Sequence, residues 1–533
     1  MTIAARHQSL PADTPLAEPT ASNPATVDRP TLAFREGDNC WRVANADRMS
    51  LIVDGADYFR ALRAGLLQAR QAALMIGWDF DFDIEMLPGE SDADGNAPDG
   101  LPNAVGPFLN ALVARCPSLD IYLLKWSGGA VLAPASMWPV LKLNMMGGDQ
   151  IHLALDGSHP IGACHHQKIV VIDDSLAFCG GIDVTSGRWD TPDHLPNDPR
   201  RADKSGENIC PPWHDATSMV SGPAAAALGD LARDRWKRSQ NTPLPEPVTP
   251  RSGLWAEGTA PDFEAIPVAI ARTEPPGRNS PIVAEIERLY IDAINGAQRF
   301  LYIESQYFSA GSIADAIASR LSEADGPEVV IVNPLEAHNA VEDAAMHGRR
   351  GKLLAQLQAV DHQGRLRMVY PADTTGAPIY VHAKLMIADD VMLRVGSSNL
   401  DRRSMGFDTE ADIAVIAESK AERAGVAAVL HRLLAEHLGT SAEAVARTMD
   451  NTGSLLATLD RLGRAEKRGL RVLIPKPRSW WQDMLADSKL FDPRFRQSAQ
   501  NRLGVTSRHA FIGLGLLGAV GTIALVRRHR RKR

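Results

Sequence analysis

A pattern that occurs twice constrains this chain more than any other feature. The first copy reads His165-His166-Gln167-Lys168-Ile169-Val170-Val171-Ile172-Asp173-Asp174, and Gly180-Gly181-Ile182-Asp183 follows. The second reads Val381-His382-Ala383-Lys384-Leu385-Met386-Ile387-Ala388-Asp389-Asp390, followed by Gly396-Ser397-Ser398-Asn399. Both obey HxKxxxxD, six residues, then G[GS]x[DN], and they stand 216 positions apart in a chain of 533. Identical offsets at four chemically distinct positions mark two like units, one in each half.

One copy already suggests a chemistry. The apolar run after each Lys reads as a strand, so residues two apart share a face. His166 and Lys168 therefore point one way, as do His382 and Lys384. An imidazole beside an ammonium repels a metal ion and attracts an anion. Lys offers a phosphate a point charge and three donors. His serves as nucleophile or as general acid and base near neutral pH. The Asp behind the strand can orient a residue or balance charge, and Gly with Ser or Asn permits close backbone approach and adds donors. Two such pairs facing each other would bracket one phosphodiester, one His attacking phosphorus while the other protonates the leaving oxygen.

The rest of the chain alternates helix and strand. Residues 54–73 and 281–297 carry apolar side chains at helical spacing, the second behind a capping Ser280. Each leads into a short apolar strand, at 73–78 and 300–304, and further strands are expected at 121–125, 329–332 and 367–370. This alternation predicts an α/β fold. The Pro-, Thr- and Glu-rich stretch at 240–265 divides the halves. The expected organisation is a disordered tail over 1–34, lobes over 35–255 and 256–475, a linker over 476–509, an apolar segment over 510–526 and a basic tip over 527–533.

The duplicated HxKxxxxD resembles the signature of the phospholipase D superfamily, over roughly residues 35–475. Three supporting stretches resemble its lipid-active branch: Ile76-Gly77-Trp78-Asp79-Phe80-Asp81, Pro212-Trp213-His214-Asp215, and Tyr302-Ile303-Glu304-Ser305-Gln306-Tyr307-Phe308. The resemblance implies two pseudo-symmetric lobes, each a β-sheet flanked by helices, with one active site between them. It implies a phosphohistidine intermediate, no metal and no cofactor. It makes His166 the nucleophile and His382 the general acid, later the base. Lys168 and Lys384 hold the phosphoryl oxygens, helped by Ser397 and Asn399, while Asp173 and Asp389 complete the motifs. An acid downstream of each motif orients a His: Glu410 in the second half, Asp215 more loosely in the first. Asp183 stands where the second copy has Asn399, and the phosphate-binding role is not carried onto it.

Composition narrows the partners. The formal charge is -7, and six of the 57 Lys and Arg fall in the last seven residues, so the body is acidic. A polyanion needs a basic face, so nucleic acid is not the expected substrate. A glycerophospholipid is, with water or an alcohol as acceptor, the alternative being a cardiolipin synthase using phosphatidylglycerol as donor and acceptor. A phosphodiesterase acting on nucleic acid is less favoured because the body is acidic, and a scaffold with a dead site because both motifs are complete. Residues 510–526 are free of charge and just long enough for a spanning helix. They suggest a C-terminal anchor at a membrane surface, the lobes staying cytoplasmic because no signal peptide is apparent. Five widely spaced cysteines argue against a disulfide framework or a structural zinc and for a reducing compartment.

Overall fold

A computed structural model of the chain describes residues 32–128, 148–160, 162–203, 206–245, 251–276, 281–337, 343–463, 467–475 and 492–493. The first half contributes strands β1 (Arg42–Val53), β2 (Ala72–Gly77), β3 (Asp120–Trp126), β4 (Ile151–Asp156), β5 (Ile169–Ile172), β6 (Leu176–Gly180), β7 (Trp213–His214) and β8 (Ala216–Ser221). The second contributes β9 (Phe263–Glu274), β10 (Val283–Ala284), β11 (Phe300–Glu304), β12 (Glu328–Val332), β13 (Leu366–Ala372), β14 (Tyr380–Val381), β15 (Leu385–Ala388), β16 (Met392–Gly396), β17 (Glu410–Ile416) and β18 (Gly469–Val472).

All but β7 and β14 join one 16-stranded sheet. Its first half runs β4-β3-β2-β5-β6-β8-β1, and its second runs β13-β12-β11-β15-β16-β17-β9, with β18 outside β13. The two orders are the same. They meet where β1 pairs antiparallel with β9, from Arg42 opposite Ile270 to Met49 opposite Phe263. The repeat in the sequence is therefore a repeat of architecture, and the fold is the expected α/β. Each HxK motif leads into the strand beside the parallel trio of its own half, β5 in the first and β15 in the second.

Apolar burial follows the same plan. Helices Gly55–Leu66 and Val105–Arg115 cover one side of the first half. Glu285–Gly296, Gly311–Ser322 and Gly348–Val360 cover the second. The largest core is common to both halves, and helices Pro223–Gln240 and Lys420–Leu438 pack into it against strands of each. Strands such as Ile169-Val170-Val171-Ile172 are buried on both faces, which explains their unbroken apolar runs.

Several expectations need correction. The helix expected over 54–73 ends at Leu66, because residues 72–77 are already strand β2. The helix expected from 281 begins at Glu285, because Val283 and Ala284 pair with β9 instead. The membrane anchor, and the membrane-associated localisation that rested on it, are not supported: among the described residues no helix is long and apolar enough to cross a membrane. Residues 510–526 lie outside the described part of the chain, as do 527–533 and nearly all of the expected tail and linker. All five cysteines are free.

Candidate active site

Both motifs arrive at the same end of their half-sheets, and each is tied to the opposite half. The His166 backbone N–H donates to Thr409 O at 3.0 Å, and the His382 N–H donates to His214 O at 2.8 Å. The second contact is extended by β7 and β14, which pair Trp213 with Tyr380 and His214 with Val381. Thr409 and His214 each immediately precede an acid. Glu410 therefore lands beside His166, its Oε2 3.0 Å from Nδ1, and Asp215 beside His382, its Oδ2 2.6 Å from Nδ1. The sequence reading assigned an orienting acid to each half; the structure crosses them. Each carboxylate holds the Nδ1–H of the other half's His, leaving the Nε2 atom of both rings unengaged by that bond.

The lysines differ in their surroundings. Lys168 Nζ lies 3.1 Å from Asp183 Oδ2 and forms an ion pair. Lys384 is fully buried and donates to His382 O, with no carboxylate in ion-pair range among the described residues. The difference follows from the last position of the motif, Asp183 in one copy and Asn399 in the other. Burial, with Lys168 nearby, brings Lys384 down to about 7. Burial and the two lysines also hold both histidines well below the ordinary imidazole range. The carboxylates move the other way: burial pushes Glu410 up to about 8 and raises Asp215. Their shared cause is removal of charge from water. An arriving anion would offset the lysine charges and make protonation of a His easier.

Small residues set the approach of the acids. A Cβ on Gly181 would stand 2.2 Å from Asp215 Oδ1, so only glycine lets that carboxylate reach His382. Ser397 takes the matching place in the second copy, and its Oγ donates to Glu410. Ser404 Oγ donates to the same carboxylate at 2.7 Å.

Two known families match this chain. Phospholipase D matches residues 156–249, and the PLD-like domain of the cardiolipin synthase type matches residues 290–434, so each motif falls within one match. The chain belongs to the phospholipase D superfamily. Among curated superfamily members it is 23% identical to phospholipase D1 of Saccharomyces cerevisiae, over 68% of this chain and 26% of that protein. It is 26% identical to phospholipase D alpha 1 of Nicotiana tabacum, over 47% of this chain and 45% of that one. It thus spans a quarter to under half the length of these relatives. A solved phosphatidylserine synthase from Haemophilus influenzae Rd KW20 shares the fold, with a TM-score of 0.50, 13% identity, and coverage of 78% of this chain and 96% of that one.

Not every residue of the superfamily signature lies beside the two histidines. Asp173 and Asp389 sit in the hairpin turns after β5 and β15, with φ of 49° and 55°. Four strand residues separate each from its Lys, five steps or about 16 Å along the strand. The Asp173 carboxylate accepts backbone N–H bonds from Arg70, Gln71 and Ala72. Asp389 does the same for Gln298, Arg299 and Phe300. Their role is to clip the turn to the start of β2 and β11. Asn399 is buried, and its N–H donates to Ser404 Oγ at 3.1 Å. His165 turns away from His166 and bonds Thr409 Oγ1 at 2.9 Å. His159 accepts from Trp126 Nε1 at 2.8 Å, and Trp78 stacks on Trp126.

The sequence reading missed a buried ionic network beneath this site. His214 lies 2.7 Å from both Glu304 and Glu436, using both ring nitrogens. His194 spans Asp190 at 2.8 Å and Glu436 at 3.0 Å. His437 reaches Glu304 at 3.0 Å, and Tyr302 donates to the same carboxylate. A ring flanked by two carboxylates must donate from both nitrogens, so His194 and His214 are imidazolium ions. Burial opposes their charge, yet Asp54 and the carboxylates they bond raise His194 to about 9, and Glu304 and Glu436 raise His214 well above its ordinary value. The atoms of Asp54, His194, His214 and Glu436 converge closely enough to suggest a metal, as do those of His214, Glu304 and His437. Ligands on a tetrahedral zinc at about 2.1 Å stand roughly 3.4 Å apart, however, and the contacts of 2.7–3.0 Å here have hydrogen-bond length. The signals were present in Trp213-His214-Asp215 and Tyr302-Ile303-Glu304. The Glu436-His437 pair, on the core side of an otherwise apolar helix face, was another.

Proposed function

We propose that this protein is a phosphatidyl-transferring phosphodiesterase, cleaving glycerophospholipid headgroups and passing the phosphatidyl group to water or an alcohol. One observation supports the reading: there are two His-Lys pairs, and each His is backed by a carboxylate from the other half. His166 Nε2 attacks phosphorus while Glu410 holds Nδ1–H. The bond from phosphorus to the headgroup oxygen breaks, and the His382 Nε2 proton passes to that oxygen. His382, now neutral, takes the proton of the incoming water or alcohol, whose oxygen displaces His166 from phosphorus. Lys168 and Lys384 hold the non-bridging oxygens, with Ser397 and Asn399 supporting the second-half side. Lobes of 35–255 and 256–475 supply one motif each. This chemistry requires no metal and no cofactor.

The test incubates the purified protein with labelled phosphatidylcholine, phosphatidylethanolamine and phosphatidylglycerol in detergent, with and without ethanol. Phosphatidic acid alone means hydrolysis, phosphatidylethanol means transfer, and cardiolipin from phosphatidylglycerol means the synthase alternative. His166→Ala should abolish both turnover and an acid-labile phosphoenzyme. Trapping a phosphohistidine on His382 in that variant would reverse the assignment of nucleophile and acid.

A further inference from the structure

Among the described residues, buried guanidinium groups have partners. Arg63 pairs with Asp99, Arg201 with Asp190, Arg235 with Asp156 and Arg394 with Asp412. Arg188 is the exception beside the catalytic histidines. It is half-buried, its Nε is shielded from solvent and bonds nothing, and no carboxylate pairs with it among the described residues. It meets an aromatic face: the guanidinium carbon lies 4.2 Å from the centre of the Trp213 ring. That ring is 5.1 Å from the His382 ring and stacks on Tyr380 at 4.7 Å. The backbone is fixed as well, since Arg188 O packs where a Cβ on Gly55 would overlap it at 2.1 Å.

The charge of the site gives this arginine a purpose. Lys168 is already neutralised by Asp183, so the two lysines do not offer two free charges to an anion. A phosphodiester bears one negative charge, and as it is attacked the charge spreads over two non-bridging oxygens. An unpaired guanidinium next to His382 supplies the missing cation, and its planar fork suits phosphate oxygens better than a third lysine would. Stacking on Trp213 holds that fork in place without consuming its donors. Arg188 also acts on the site at a distance, being among the charges that lower His382 and Lys384.

We propose that Arg188 is a substrate-binding residue of this site, its guanidinium taking a non-bridging phosphodiester oxygen on the His382 side. The assignment rests on reading the cleft as a phosphodiester site. The experiment measures binding of inorganic phosphate by calorimetry at pH 7 to the full chain and to two variants. Arg188→Met keeps an apolar stem over Trp213 without charge, and Arg188→Lys keeps charge without the fork. The Met variant should bind phosphate on the order of 10–100-fold more weakly, the loss expected for one charge-assisted contact. The Lys variant should recover part of that affinity, and the thermal midpoint without phosphate should be unchanged in both. Phosphate affinity within twofold of the parent in a folded Met variant would overturn the proposal. So would a Met variant that keeps its phosphate affinity and phosphatidylcholine turnover but loses turnover of phosphatidylserine, since the guanidinium would then read a headgroup carboxylate. A parent that binds phosphate through Arg188 yet cleaves no phospholipid leaves this assignment standing and defeats the functional reading instead.

Discussion

At the scale of single residues, the motif's own aspartates and its distant acids divide the labour differently from their order in the sequence. Asp173 holds three backbone N–H groups far from the cleft. Asp173→Ala should therefore lower stability by roughly 1.5–3 kcal/mol, the loss of charged hydrogen bonds, with KM almost unchanged. Denaturant unfolding beside steady-state kinetics checks both halves of that statement. Glu410→Gln and Asp215→Asn should do the reverse, keeping the fold and reducing kcat by roughly 10²–10⁴-fold, because each loses the carboxylate that aligns a His. Rapid quench separates them: Glu410→Gln should slow phosphohistidine formation, and Asp215→Asn should be rescued by a substrate whose leaving group needs no proton. Lys384 adds a pH dependence. Held at about 7, it is charged below that pH and neutral above it. Sulfate stays a dianion throughout, so its inhibition constant should be level below pH 7 and rise about tenfold per unit above it. The motif named the histidines and lysines directly. It did not say which end of the strand faces the cleft, so the aspartates could not be placed, and contacts across 244 and 167 residues leave no local pattern in one sequence.

At the scale of elements, helix Lys420–Leu438 carries Glu436 and His437 into the network, and its start is fixed by a capping box between Ser419 and Glu422. Ser419→Ala should cost about 1 kcal/mol, seen as a lower denaturation midpoint. The network itself responds to base. His194, raised to about 9 from an ordinary value near 6.5, stabilises the fold fully below about pH 6.5, and that contribution disappears as pH rises through 9. The shift corresponds to roughly 3 kcal/mol at most. The thermal midpoint should fall between pH 7 and 10, and His194→Gln should flatten the fall; an equal fall in both proteins would remove His194 from the account. Strands at 300–304, 121–125, 329–332 and 367–370 were legible within a residue or two, because buried apolar runs next to helices have few other uses. Helix ends were not: the turn at 67–71 and the pairing of Val283-Ala284 with β9 are imposed by neighbours.

At the scale of the whole molecule, the two halves share a core as well as a site. Residues 1–255 and 256–533 expressed separately should each be insoluble, and co-expression should restore the phosphoenzyme; a soluble, active half would contradict the shared core. The crossed acids have a consequence during synthesis. Glu410 leaves the ribosome 244 residues after the histidine it aligns, and Asp215 waits 167 residues for its own. A truncated chain that ends between the halves holds a reactive imidazole and lysine without the carboxylate that would arm them. Translation therefore completes both His-carboxylate pairs only once Glu410, in the second half, has been made, and under the proposed function an abandoned first half would carry its histidine unarmed.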